Sequence, residues 1–318
     1  MVSEVVGTQI EAERTETRPV LPGIPIAPRV TDTDLGPVEF DLTPGDGPVV
    51  LGSGGVGGVR GARLQLEWLD PGRYRLLSVS RPGFLGTPLS SGPGVEAQAD
   101  LFVALLDRLQ IERAAVVSLS AGGPAGYLLA LRHPERVAAM IAIDSVSGRH
   151  HVPESAGPVA QTIFMNSWTQ GLFGTLARRR PGWMLRQVLR DTGYYTKSQL
   201  RAHLEFTLAT PEALAFGRAL LGTFFPYGPS KAGADNDTAL FRALPRLPLE
   251  HVRCPVLVVH GTHDADVKFH HGVYAFEQIP GAERVWIEEG SHVGFWLSPH
   301  ARAAQEAARA FLERQRPW

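Results

Sequence analysis

Over residues 38–143, and again over 255–312, short apolar runs alternate with stretches of helical periodicity. The runs at 38–42, 49–51, 74–79, 114–119 and 137–143 have the length and composition of buried strands. Between them, 95–109 carries Leu101, Leu105 and Leu109 at helical spacing, and 124–132 reads as a further helix. Strands and helices in alternation are buried best as a mostly parallel central sheet with helices on both faces, so the expected fold class is α/β. The alternation stops after Gly148 and resumes at Pro255, a gap too long for an ordinary connection. Inside it, Phe164, Trp168, Leu172 and Leu176 share a helical stripe that ends by Pro181. Thr196 to Gln199 has capping-box form, and Thr210-Pro211 places a cap before a proline at the first helical position. Residues 148–250 are therefore expected to form an inserted helical cap, with 37–147 and 251–318 as the sheet-containing core. A strand at 284–287 and an amphipathic helix at 299–312 close that core. Residues 1–36, polar and broken by proline and glycine turns, read as an N-terminal extension outside the sheet.

A hydrophobic fraction of 44% over 318 residues is enough for one sizeable core. The formal net charge of -1 gives no field that would draw the chain to nucleic acid or an anionic membrane, so neither partner is expected. Cys254 is the single cysteine, which rules out an intramolecular disulfide and any multi-thiolate metal site. Glutamates occupy the stretch where a signal peptide would be apolar, and no apolar run reaches the roughly 18 residues of a membrane span. A cytoplasmic location is expected. The sequence does not specify an oligomeric state.

The segment from Ala115 to Gly123 runs from an apolar strand into a turn of small residues, with a helix after it. A serine on such a strand-to-helix turn is held in strained backbone and exposed above the carboxyl edge of the sheet. The positions two before and two after it must be small, and here they are Ser118 and Gly122. The positive end of the following helix would favour negative charge developing at Ser120. Taken alone, Ser120 could equally be a helix cap.

Further along, the apolar run 256–259 leads into His260-Gly261-Thr262-His263-Asp264, and the run 285–287 leads into Glu288-Glu289-Gly290-Ser291-His292. Asp264 and His292 are far enough apart for one helix and one strand, which would bring both out on the same sheet edge as Ser120. In this order of Ser, Asp and His the chain resembles the α/β-hydrolase family. The stretch Val49-Val50-Leu51-Gly52-Ser53-Gly54-Gly55-Val56-Gly57-Gly58 is similar to that family's oxyanion loop, and Arg81-Pro82-Gly83-Phe84 to its loop after the fourth strand. His133-Pro134-Glu135-Arg136-Val137 is similar to its link after the nucleophile helix. The resemblance spans roughly 37–147 and 251–318. It implies Ser120 as nucleophile, His292 as general base and Asp264 as the acid that fixes the imidazole. It also implies backbone N–H groups of Gly55 and Ala121 as the oxyanion hole, each such donor contributing roughly 3–4 kcal/mol in comparable enzymes. Two positions depart from the family pattern: Ser53 replaces the loop's usual histidine, and Ser118 the first glycine of the elbow.

Other readings compete locally. Residues 52–57 fit G-x-G-x-x-G after a strand, a dinucleotide fingerprint, and the next strand ends at Arg81, which could face a 2′-phosphate. His263, His270 and His271 lie near Asp264 and Asp266, but their spacing matches no compact metal motif, so no metal and no cofactor are expected. Asp266 is the rival to Asp264. His150 and His151 fall where the sheet gives way to the cap. Cys254 reads as packing. Trp168, Phe164 and Phe295 are the candidate walls of an apolar substrate pocket. The expected function is hydrolysis of a small, fairly apolar carboxylic ester, lactone or thioester through an acyl-enzyme. A cofactor-free haloperoxidase, an acyltransferase or an aminopeptidase would use the same three residues. A non-catalytic binding protein on this fold would have no need of all three.

Overall fold

The computed structural model describes residues 26–55, 57–151, 179–223, 227–316 and 318. The apolar runs pair into one sheet with eight strands: β1 (Arg29–Thr33), β2 (Gly36–Leu42), β3 (Val49–Ser53), β4 (Arg75–Val79), β5 (Ala114–Leu119), β6 (Val137–Ile143), β7 (Val256–Gly261) and β8 (Glu283–Ile287). Their order is β1-β2-β4-β3-β5-β6-β7-β8. All neighbours from β4 to β8 are parallel, while β2 runs antiparallel to both β1 and β4. This is the α/β architecture that the alternation predicts.

The central strands β3, β5, β6 and β7 are buried along their whole length, as expected for parallel strands covered on both faces. Their alternate side chains feed two separate cores. Leu51, Val116, Met140 and Val258 join one core with helices α2 (Val95–Arg108) and α3 (Gly123–Arg132). Val50, Val117, Ile141 and Val259 join the other, which includes α1 (Gly58–Gln65) and the C-terminal helix Ala301–Arg314. The register levels the carboxyl ends: Ser53 pairs with Ser118, Ile143 with Leu119 and Val259, and Gly261 with Ile287. The loops after β3, β5, β6, β7 and β8 therefore open on one edge.

The helices Pro181–Thr192, Lys197–Ala209, Pro211–Thr223 and Lys231–Ala243 lie between β6 and β7 in the chain. The capping box is formed, with Thr196 Oγ1 accepting from the Gln199 N–H at 3.3 Å and the Gln199 side chain accepting from the Thr196 N–H at 2.9 Å. The expected stripe of Phe164, Trp168, Leu172 and Leu176 falls outside the described residues. No helix among the described residues is long and apolar enough to cross a membrane.

One expectation needs correction, and one helix has no sequence signal. The sheet begins at Arg29, so residues 29–36 belong to it and not to an extension; β1 pairs with β2 through a tight hairpin in which Thr33 faces Gly36. As an edge strand with a partner on one side only, β1 needs little apolar patterning, and its sequence RVTDT has little. Helix α1 was also not signalled. Its glycine-rich opening has low helical propensity, and packing of Val59, Ala62 and Leu64 against the sheet overrides it.

Candidate active site

Ser120 follows the last residue of β5, opens a single 3-10 turn (Ser120–Gly122), and precedes α3. Its φ is 54°, in the left-handed region that costs a non-glycine residue about 1–2 kcal/mol. The surroundings hold it there: the Ser120 carbonyl accepts from the Val146 N–H at 3.0 Å. The turn also packs against β3 so closely that a Cβ on Gly122 would stand 2.0 Å from the Ser53 carbonyl oxygen. Ser118 fits in the first glycine's place because its hydroxyl lies 3.1 Å from Ser145 Oγ, and Ser145 in turn donates to the Ser118 carbonyl. Ser53, the other departure, donates to the Gly122 carbonyl at 3.3 Å and so links the loop after β3 to the turn.

The loops after β7 and β8 bring Asp264 and His292 to Ser120. His292 Nε2 lies 2.8 Å from Ser120 Oγ, and His292 Nδ1 lies 2.8 Å from Asp264 Oδ2. The other oxygen of Asp264 accepts backbone N–H groups of Asp266 and Val267 at 2.8 and 2.9 Å. Asp264 is 1% exposed. Burial raises its carboxyl pKa to about 6, against the opposing pull of His292 and the hydrogen bonds. For His292, burial works to lower the pKa, but the carboxylates of Asp264, Asp266 and Asp144 outweigh it and raise the value above the ordinary histidine range. The two rival aspartates stand at different nitrogens of the ring. Asp264 takes Nδ1, whereas Asp266 Oδ2 stands 3.7 Å from Nε2, on the serine side of the ring.

The residues expected to form the oxyanion hole flank Ser120. A Cβ built on Gly55 would come within 3.3 Å of Ser120 Oγ and 3.6 Å of the Ala121 nitrogen, so the loop passes directly beside the hydroxyl. That same loop is held from behind. Arg81, 1% exposed, donates through Nε to the Gly54 carbonyl at 2.8 Å and through Nη2 to the Gly55 carbonyl at 2.9 Å. The arginine that the dinucleotide reading would give to a phosphate is thus enclosed in the protein interior.

Three features carried no clear sequence signal. The Thr192 carbonyl accepts from the Ala265 and His292 N–H groups at 3.1 and 3.0 Å, tying the loops of both Asp264 and His292 to the end of one helix between β6 and β7. A backbone carbonyl leaves no mark in a sequence. Asp144, at φ 43° just after β6, is fully buried and accepts the Gly261 N–H at 2.8 Å. Burial and the nearby Asp264 raise its carboxyl pKa well above the usual range. His260 stands 3.6 Å from Asp264 Oδ2, its Nε2 donates to the Val267 carbonyl at 2.8 Å, and burial lowers its pKa to about 3. Asp144, His260 and Asp264 offer atoms within 4.8 Å of one another, the spacing of a cation site. Yet the His260 Nε2 and the oxygens of Asp264 already have partners inside the protein. The histidines singled out for a metal, His263, His270 and His271, are not in that group.

The expected pocket walls fare differently. Phe164 and Trp168 lie outside the described residues. Phe295 is fully buried, packed edge-on against Trp68 and Trp296 with centroids 5.3 and 4.9 Å away. It is a core side chain, because the short helix Gly294–Leu297 turns it inward beneath His292 in the chain. His150 is buried with its ring edge on His271, and His151 is exposed.

A serine hydroxyl on a strained turn, an imidazole to take its proton and a buried carboxylate to hold the imidazole together make an arrangement suited to nucleophilic acyl transfer. The chain is also similar to known hydrolases. A model of the alpha/beta hydrolase family matches residues 49–309. The uncharacterized hydrolase YcgS of Bacillus subtilis is 24% identical over 284 residues, covering 88% of this chain and 96% of that protein. A pimeloyl-[acyl-carrier protein] methyl ester esterase of Aromatoleum aromaticum is 29% identical over 237 residues, covering 72% of this chain and 84% of that protein. Among solved structures, an alpha/beta hydrolase fold protein from Nakamurella multipartita superposes with a TM-score of 0.84 at 32% identity, over 90% of this chain and 98% of that one.

Proposed function

The chain belongs to the alpha/beta hydrolase family, and from that premise we propose that it is a serine hydrolase cleaving a small, fairly apolar carboxylic ester, lactone or thioester. The observation that carries this reading is the unbroken series of 2.8 Å contacts from Ser120 through His292 to Asp264. Ser120 Oγ attacks the substrate carbonyl carbon while His292 Nε2 takes its proton. Asp264 fixes the tautomer and steadies the imidazolium. The carbonyl oxygen, now negative, is received by the N–H groups of Gly55 and Ala121. Collapse expels the leaving oxygen or sulfur, to which His292 returns the proton, and leaves an acyl-Ser120 ester. Water, deprotonated by His292, then releases the acid.

The ester class is supported by the similarity to the methyl ester esterase of Aromatoleum aromaticum. The helices between β6 and β7 act as a cap in this reading, since Thr192 at the end of one of them already touches the loops of Asp264 and His292. The test is a panel of p-nitrophenyl esters of increasing acyl length, with thioesters, lactones and anilides alongside. Ester, thioester or lactone turnover with a burst of p-nitrophenol is expected. A protein that turns over only anilides, or none of these, is not the hydrolase described.

A further inference from the structure

Arg81 is the largest fully buried side chain among the described residues, and it stands at the loop after β4, behind Gly54 and Gly55. A guanidinium has five N–H donors. Here all five have an acceptor: Nε donates to the Gly54 carbonyl, Nη1 to Gln98 Oε1 at 3.2 Å and Asp237 Oδ1 at 2.8 Å, and Nη2 to the Gly55 carbonyl and Asp237 Oδ2 at 2.5 Å. Asp237 comes from the helix Lys231–Ala243, between β6 and β7, 156 residues away in the chain. It is the carboxylate that balances this enclosed charge.

We propose that Arg81 is a positioning residue for the oxyanion loop, and that Asp237, supplied by the inserted helices, sets its position. The inference rests on Ser120 being the nucleophile and Gly55 an oxyanion donor. The Gly54 carbonyl and the Gly55 N–H belong to one planar trans peptide, so they point in opposite directions. Anchoring the carbonyl on Arg81 Nε therefore fixes the direction of the N–H on the other side. A cationic donor on a carbonyl also polarises the amide and strengthens its N–H as a donor. The second bond, to the Gly55 carbonyl, removes the remaining rotation of the loop. Asp237 grips the guanidinium in two-point fashion, a geometry that fixes its plane as well as its charge. A shift of Asp237 would rotate that plane and both peptides with it, so the insert controls how well the loop receives negative charge and not only what enters above it.

The variants Asp237→Asn and Arg81→Lys test this. The first keeps the shape but loses the charge, and the second keeps the charge but cannot span five acceptors. Labelling of the wild-type protein by a fluorophosphonate probe comes first. If the wild type is not labelled, the serine-hydrolase reading fails and this inference goes with it. In labelled protein, with both variants checked for wild-type circular dichroism and a cooperative melt, kcat for p-nitrophenyl butyrate is expected to fall roughly tenfold to a hundredfold while KM hardly moves. The affinity for a trifluoromethyl ketone, which forms a tetrahedral adduct, should fall in step with kcat. Folded variants with unchanged kcat, or with the whole loss in KM, overturn the inference while leaving the hydrolase reading intact. Should neither variant fold, Gln98→Ala removes a single acceptor. A smaller loss of kcat with the same parallel fall in ketone affinity is then expected, and unchanged kcat overturns the inference.

Discussion

Replacing Asp266 with asparagine separates the two carboxylates that His292 meets. Asp266 Oδ2 stands 3.7 Å from His292 Nε2, with about a third (35%) of its side chain exposed. At that exposure solvent screens the pair, and with an effective dielectric of about 80 the attraction is about 1.1 kcal/mol. That amount corresponds to a change of about 0.8 in the pH at which His292 loses its proton. The sign follows from the base being active only when neutral. Asp266 favours the imidazolium, so removing it lets His292 become neutral at lower pH. The acid limb of kcat/KM for p-nitrophenyl butyrate, followed from pH 5 to 10 at low salt, starts above the ordinary histidine value of 6.5. In Asp266→Asn it should move down by about 0.8 in pH, making the variant roughly sixfold more active than wild type on the limb. The plateau should be nearly unchanged. High salt should move the wild-type limb the same way and the variant's limb less. A limb that stays put or moves up refutes the electrostatic argument. A plateau that collapses by orders of magnitude would make Asp266 the orienting acid in place of Asp264.

Two further outcomes are expected. In Asp264→Asn the amide oxygen must keep the N–H groups of Asp266 and Val267, so its NH2 faces His292 Nδ1 and imposes the tautomer with a proton on Nε2. That tautomer cannot accept from Ser120, and kcat should drop about 10⁴-fold with the fold intact by circular dichroism; a mere displacement of the pH limb would contradict the assignment. Stability should also fall on acidification. Burial lowers the pKa of His150 to about 4 and of His260 and His271 to about 3. The unfolded chain takes up these protons near pH 6.5 while the folded one refuses them, so stability is lost as pH falls below 6.5. The loss at pH 5 is up to about 2 kcal/mol for each histidine. Asp264, Asp144 and His292, whose pKa values are raised in the fold, act with the opposite sign over the same window. Urea unfolding at pH 7 and pH 5 therefore measures the net change, and a protein more stable at pH 5 would contradict the dominance of the three histidines.

The site was legible where side-chain chemistry coincides with a strand end. Ser120, Asp264 and His292 each follow an apolar run, and a sheet whose strand ends are level must bring them together. What escaped was carried by other signals. The Thr192 carbonyl is backbone, present at every residue. Arg81 reads from the sequence as part of the loop after the fourth strand, with a phosphate contact as a competing reading. Its pairing is invisible there because its partner Asp237 is 156 residues away in the polar stretch Gly233-Ala234-Asp235-Asn236-Asp237. Phe295 looks like a pocket wall by being near His292 in the chain, but a single helical turn carries it into the core beside Trp68. Strand β1 was missed because an edge strand can be polar and still be paired. Ser53 and Ser118 read as departures from a pattern, and each proves to make a hydrogen bond that joins neighbouring parts of the turn.

The central claim is that Ser120 is the nucleophile, and a fluorophosphonate probe followed by peptide mapping addresses it most directly. The account predicts one phosphonyl group per chain, located on Ser120, with neither label nor esterase activity in Ser120→Ala. A native protein that takes no label, a label on another residue, or a Ser120→Ala variant that still cleaves esters at the wild-type rate would contradict it.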